Sequence, residues 1–330
     1  MSTDALAIRF ADVEAASKRL AGKAVVTPLL ENRQLNERVG GRVLLKPEIL
    51  QVSGSFKFRG AYNRLSQLDE AQRRAGVVAW SSGNHAQGVA AAARMLGIPA
   101  TIVMPEDAPA LKIANTRGYG AEVVLYDRWR ESREGIAAAI AGERGAVPVP
   151  PYDDPHIIAG QGTTGLELAG QAGELGATLD VVLAPCSGGG LVGGVAMAVK
   201  HLSPRTEVYS AEPAGLDDLA RSLKAGERVR NDPEARSFCD ALMAPTPGEL
   251  TFPIHRALLS GGVAVTDDEV AAAMAYAFTT LKLVVEPGGA VALAAVLSGK
   301  LPTAGRTIGV VLSGGNVDPA LYAEVLGRGR

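Results

Sequence analysis

Lys57 stands in the stretch Ser53-Gly54-Ser55-Phe56-Lys57-Phe58-Arg59-Gly60, a turn of small residues that opens a helical pattern beside an aromatic. A lysine in such a place can lose solvent, and a desolvated amine is both a nucleophile and a base. The ordinary alternative is a solvated surface charge. Ser187-Gly188-Gly189-Gly190-Leu191 follows the apolar run Val181–Ala184 and leads into an apolar helical pattern. Consecutive glycines let backbone N–H groups converge on an anion, and a helix N-terminus favours negative charge. Alone, the segment reads equally as a tight strand-to-helix turn. No Lys/Ser pair follows it, which argues against a nucleotide P-loop, and the spacing of Gly190, Gly193 and Gly194 suits close helix packing rather than the dinucleotide fingerprint.

Ser81-Ser82-Gly83-Asn84-His85 ends one apolar run and opens another helix. Hydroxyls, an amide and free helix-start N–H groups suit a carboxylate. Helix capping accounts for one such residue but not for the whole run. His85 by itself reads as structural. Ser313-Gly314-Gly315-Asn316 closes the last apolar run, either as a plain turn or as a hydroxyl aimed at a ring nitrogen, and Glu286 reads as an acid at a helix start. A lysine able to form a Schiff base, a phosphate loop and a carboxylate pocket describe, as a set, a pyridoxal-phosphate site.

The elements that must position these groups are short. Val43–Lys46, Val77–Trp80, Thr101–Met104, Glu122–Leu125, Val181–Ala184, Glu207–Ser210 and Ile308–Leu312 are apolar runs of the kind buried on both faces of a parallel sheet. Helical patterns lie between them, including Ala86–Leu96, Glu131–Ala141, Gly162–Gln171 and Asp267–Leu283, the last opened by a Thr266/Glu269 capping box. The alternation predicts an α/β fold. Residues 75–146 repeat strand and helix three times and read as a small domain (69–151) inserted into a large cofactor-binding domain (1–68 and 152–330), with Pro148–Pro151 as the strand returning to the large domain. The expected architecture is two parallel-sheet, three-layer domains with the active site in the cleft between them. Ser81, Ser187 and Ser313 each follow a strand, where ligands of such folds bind.

The 330 residues include 33 basic and 35 acidic side chains, for a net charge of −2, which argues against a nucleic-acid surface. Hydrophobic residues make up 47% and aromatics only 5%, so Ala, Val and Leu must fill the core. Two cysteines, Cys186 and Cys239, build no disulfide framework and suggest a reducing compartment. Met1–Phe10 has no secretory pattern, and no apolar run is long enough to span a bilayer, so a cytoplasmic protein is expected.

From about Thr27 to Asp318 the chain resembles the threonine dehydratase and serine racemase family, of the tryptophan synthase β-like fold. The resemblance rests on Gly54–Gly60, Ser81–Gly88, Ile158–Thr163, the glycine loop and Leu312–Asp318. It implies that Lys57 carries pyridoxal phosphate covalently and that Asn84 bonds the phenolic oxygen. It implies further that Ser187, Gly188, Gly189, Gly190 and Leu191 hold the phosphate and that Ser313 meets the ring nitrogen. Ser81, Ser82, Gly83, Asn84 and His85 would cradle the substrate carboxylate. The expected reaction is β-elimination from a 3-hydroxy amino acid: the freed Lys57 amine removes the α proton, the β-hydroxyl leaves, and a 2-oxo acid and ammonia result. A neutral Ser313 hydroxyl does not force the ring nitrogen to stay protonated, which leans toward elimination over transamination.

Several positions bear on the substrate. Ser82 matches the serine of racemases, where dehydratases carry alanine; it reads either as an acid giving minor racemisation or as a plain carboxylate ligand. Arg133 matches an arginine of the racemase-like branch and suits the second carboxylate of 3-hydroxyaspartate, or it is an exposed helix residue between Glu131 and Glu134. Tyr152 replaces a racemase asparagine or a dehydratase phenylalanine. Ala244–Gly248 replaces a serine-containing loop, in a manner similar to a dehydratase branch of hydroxyectoine breakdown. Glu212 and Asp218, with the Leu216 carbonyl, match a divalent-cation site for Mg²⁺ or Ca²⁺; their bland alternative is two surface acids. The family also implies a homodimer, and a chain that stops soon after Asp318 implies no regulatory domain and a catabolic role. Rival readings are a racemase, a synthase adding a nucleophile, against which Ser81–His85 argues, and a catalytically silent phosphate-binding protein, against which Lys57 and Ser313 argue.

Overall fold

Ten strands sort into two sheets in the computed structural model, which describes residues 6–328. They are β1 (Leu30–Glu31), β2 (Arg42–Pro47), β3 (Val77–Trp80), β4 (Ala100–Pro105), β5 (Glu122–Tyr126), β6 (Val147–Pro148), β7 (Val181–Pro185), β8 (Glu207–Pro213), β9 (Gly261–Val265) and β10 (Thr307–Leu312). The reading of Met1–Phe10 for a leader falls partly on 1–5, outside the described residues. The larger sheet has the order β1-β2-β10-β7-β8-β9 and the smaller β5-β4-β3-β6. Both are parallel except for the short antiparallel pair of β1 with β2.

The apolar runs are strands because helices cover both their faces. On one side of the large sheet lies Pro287–Leu297, buried from Pro287 to Val296, so it shows no polar stripe. On the other side Pro155–Glu174 packs on Gly190–Leu202. This contact requires Gly194: a Cβ there would overlap the Ile158 carbonyl. The small sheet is likewise enclosed, by Asn84–Leu96 on one face and Arg133–Arg144 on the other. Each fully buried Val or Leu adds about 1.5–3 kcal/mol to such layers.

Two expectations change in detail. Pro148–Pro151 does not return as a strand of the large sheet. Val147 and Pro148 pair with Val77 and Val78, so this segment closes the edge of the small sheet, where a residue without an N–H is tolerated. The helix opened by Thr266, whose capping box is formed, ends at Tyr276, and Ala277–Leu281 continues as a wider π turn. Among the described residues no helix is long and apolar enough to cross a membrane.

A buried ion network fixes the Lys57–Leu65 helix. The fully buried Arg59 donates from Nε to Glu48 at 2.7 Å and from Nη1 to Glu167 at 2.6 Å, and Lys46 of β2 joins Glu167 at 2.7 Å. Burial alone would raise the Glu48 carboxyl, but the Arg59 guanidinium, with Thr27 and Lys46, more than offsets this and holds it below the usual carboxylate range. The network ties the helix that begins at Lys57 to β2 and to Pro155–Glu174.

Candidate active site

The loops after β3, β7 and β10 converge with Lys57 on one pocket between the two sheets. Its walls include Lys57, Ser81–His85, Arg133, Tyr152, Ser187–Leu191, Glu286 and Ser313. Lys57 is the first residue of its helix. The turn before it bends through Ser53, a non-glycine residue at φ 65°, and is pinned to the C-terminal loop by the Ser55–Gly314 bridge and by Phe56 N–H donating to the Ser313 carbonyl at 3.1 Å. The Asn84–Leu96 helix approaches through Gly88, where a Cβ would come within 3.0 Å of the Lys57 carbonyl carbon. The Lys57 amine donates to the Pro151 carbonyl at 2.6 Å. Its open side faces the pocket rather than bulk water, and desolvation lowers it to about 8.

On the wall after β7, Gly189 takes φ 93°. The carbonyls of this loop are held on its outer side: Gly188 accepts from Thr251 Oγ1 at 2.7 Å, and Gly189 lies 2.9 Å from His255 Nε2. Burial drives His255 down to about 4, so the ring is neutral and donates. The first N–H groups of Gly190–Leu202 have no intrahelical partners. A side chain at Gly188 would overlap the Tyr152 ring, and one at Gly189 the His255 ring. The result is a cradle of backbone donors for an anion.

On the opposite wall, Ser81 Oγ accepts Gly83 N–H at 3.1 Å. The His85 ring is anchored to the backbone: its Nε2 lies 2.9 Å from the Val149 carbonyl, and burial, followed by the nearby Lys57, pushes it to about 3. Asn84 donates one amide hydrogen to Glu286 and accepts from Asn316 Nδ2 at 2.8 Å. Glu286 is more than an acid at a helix start. It is fully enclosed in the pocket wall, burial raises it to about 7, and its Oε2 has no partner among the described residues. Its signal in the sequence is a lone acid in Val284-Val285-Glu286-Pro287-Gly288, between valines and a helix-starting proline.

Arg133 fits both of its readings in part. It lines the pocket, yet its side chain is 44% exposed and pairs with Glu134 at 2.8 Å. Glu212 and Asp218 are not surface acids, since both are buried. Glu212 accepts the N–H groups of Leu219 and Ala220 at 2.9 Å, and Asp218 accepts from Asn231 at 2.7 Å while its Oδ2 has no partner among the described residues. Burial and mutual repulsion raise Glu212 well above the usual range, and burial raises Asp218 to about 6. No group of three or more His, Cys, Asp or Glu side chains that could hold a metal occurs among the described residues.

The family model described as "Pyridoxal-phosphate dependent enzyme" matches residues 21–314. The chain belongs to the pyridoxal-phosphate dependent enzyme family. The L-threo-3-hydroxyaspartate ammonia-lyase of a Pseudomonas species is 46% identical over 315 residues, covering 96% of this chain and 97% of that one. The serine racemase of Schizosaccharomyces pombe is 40% identical over 328 residues, covering 99% and 100%. The crystal structure of the T.th. threonine deaminase superposes with a TM-score of 0.88 at 47% identity, covering 94% of this chain and 99% of that one. The chain is therefore an enzyme, and its family implies pyridoxal phosphate as cofactor. The pocket fits that group: the desolvated amine can meet its aldehyde and the side-chain-free cradle its phosphate.

Proposed function

We propose that this pyridoxal-phosphate enzyme eliminates the β-hydroxyl group of a small 3-hydroxy amino acid, of the serine, threonine or 3-hydroxyaspartate type, to give a 2-oxo acid and ammonia. The supporting observation is the desolvated Lys57 amine in one pocket with an anion cradle and a polar carboxylate loop. When bound, the cofactor supplies an electron sink for the pair left by a broken Cα–H bond. Lys57 would hold it covalently, the Ser187–Leu191 backbone its phosphate, Asn84 its phenolic oxygen and Ser313 its ring nitrogen. Ser81–His85 would take the substrate carboxylate at a helix N-terminus. An amine near 8 is neutral in a useful fraction at pH 7, so Lys57 can accept the α proton, and the Pro151 carbonyl stabilises the ammonium that forms. The Ser313 hydroxyl leaves the ring nitrogen without a counter-charge, which favours prompt loss of the β group.

Ser82 lines the same pocket as Lys57, which favours a second reading with minor racemisation; Ser82→Ala removes it and spares elimination. Arg133 in the pocket wall favours a substrate with a second carboxylate. Ala244 and Pro245 also line the pocket, and a role in hydroxyectoine breakdown belongs to this reading. A divalent cation, Mg²⁺ or Ca²⁺, would neutralise the Glu212 and Asp218 carboxylates with help from the Leu216 carbonyl. On this reading 69–151 is a small domain on a large one of 1–68 and 152–330, in a cytoplasmic homodimer. The test supplies serine, threonine and both 3-hydroxyaspartate diastereomers and measures 2-oxo acid, with and without Mg²⁺. Lys57→Ala should lose the cofactor's imine absorbance and the elimination together; survival of either overturns the assignment.

A further inference from the structure

Lys112 lies where helix electrostatics would not place it. It occupies the first turn of Ala110–Gly118, the end at which the helix dipole disfavours a cation. Its side chain is only 7% exposed, so the ammonium has also lost most of its water. Asp240 is its direct partner: Nζ donates to Asp240 Oδ2 at 2.7 Å, and the buried Glu286 also feels the Lys112 charge. Asp240 begins the short turn Asp240–Leu242 attached to the large sheet, whereas Lys112 follows β4 of the small sheet. Among the described residues, no other salt bridge joins residues 77–148 to the rest of the chain. Both partners line the pocket, Asp240 at its rim with a 43% exposed side chain. The Lys112 stem lies under the carboxylate loop: a Cβ at Gly83 would stand 3.1 Å from Lys112 Cδ and 3.3 Å from Nζ.

We propose that Lys112 and Asp240 form a latch across the cleft that holds the Ser82–Gly83 loop in register with the Lys57 wall. Both are positioning residues for capture of the substrate carboxylate, and the inference rests on the pocket assignment made above. With the latch released, fewer molecules have both walls in register. Apparent affinity for any amino acid falls by that fraction, while saturating ligand restores the closed form. The pair therefore acts on KM and leaves kcat.

The test uses holoenzyme and L-alanine, an amino acid with no β-hydroxyl to eliminate. Binding is read from the fluorescence of Trp80, which lines the pocket beside Ser81, in a Trp129→Phe background that removes the 79% exposed second tryptophan. Lys112→Met and Asp240→Asn should each weaken L-alanine binding about five- to tenfold, as fits a half-buried pair. The KM of the eliminated substrate should rise by the same factor, the double variant should be no weaker than either single one, and Lys112→Arg should stay near wild type. Added salt should weaken binding to wild type but not to Asp240→Asn. If Asp240→Asn binds L-alanine as tightly as wild type while Lys112→Met does not, Lys112 acts on the carboxylate directly and the latch is wrong. Losses that multiply in the double variant overturn it as well. A wild type that binds L-alanine yet releases no 2-oxo acid from any hydroxy amino acid overturns the elimination reading instead and leaves the latch standing.

Discussion

Replacing Gly189 by alanine puts a methyl group where two separate constraints exclude it. The backbone there has φ 93°, a region that costs an L residue about 1–3 kcal/mol. The methyl would also overlap the His255 ring. That ring is fully buried and its Nε2 is bonded to the Gly189 carbonyl at 2.9 Å. Moving it gives up a hydrogen bond of about 1 kcal/mol and adds overpacking of about 1–3 kcal/mol. The total is about 3 kcal/mol or more, which corresponds to a loss of over about 100-fold in affinity if the loop yields and the fold holds. Titration of apoenzyme with pyridoxal phosphate, followed by imine absorbance, reads that loss, and urea denaturation checks the fold. Gly142→Ala is the control, because a Cβ there meets nothing within 4 Å. Adding His255→Ala to Gly189→Ala relieves the overlap but not the backbone strain, so about tenfold should return. If Gly189→Ala folds normally and binds cofactor within about threefold of wild type, Ser187–Leu191 is not the phosphate cradle.

Three further outcomes follow from the same geometry. The rate at which apoenzyme attaches pyridoxal should rise with pH and level off above about 8, since only the neutral Lys57 amine attacks; a stopped-flow profile that turns over near the ordinary lysine value of about 10.4 contradicts the desolvation argument. Arg59→Met should destabilise the fold by about 3–5 kcal/mol by stranding the buried Glu48, whereas Arg42→Met, which breaks a pair with Glu31 at 36% and 35% exposure, should cost less than about 1 kcal/mol in urea denaturation. Mg²⁺ or Ca²⁺ should raise the Tm of wild type, and Glu212→Gln should abolish that rise; an equal rise in both removes the cation from Glu212 and Asp218.

Features set by local chemistry are legible in the sequence. The strands feeding the site announce themselves as apolar runs ending in Ser or Gly, and Thr266 and Glu269 encode a cap that needs nothing beyond its own turn. Val147–Pro148 is misplaced by sequence reasoning because a two-residue edge strand containing proline has no pattern of its own; pairing with Val77 and Val78 defines it. The Gly261–Val265 strand is silent because Gly261 and Gly262 cut its apolar run short, and its register is set by Tyr209–Pro213 of β8. Burial of Glu212 and Asp218 is invisible because an acid near a strand end or at a helix start looks solvated until tertiary packing encloses it. Lys112 and Asp240, 128 residues apart, carry no mutual signal in the sequence, nor do Asn84 and Glu286.

The Lys57 turn is stitched to residues from the far end of the chain: Asn316 Nδ2 donates to the Ser53 carbonyl at 2.8 Å across 263 residues, and β10 lies beside β2 from Thr307–Arg42 to Leu312–Pro47. During synthesis, the ribosome must therefore release nearly the whole polypeptide before the wall around Lys57 can close. Loops this long form late, so in a nascent chain Lys57 is still an ordinary solvated amine without a finished pocket. Cofactor capture is thus a signature of completed folding, and chains cut short before β10 should reach the cell's quality-control proteases colourless.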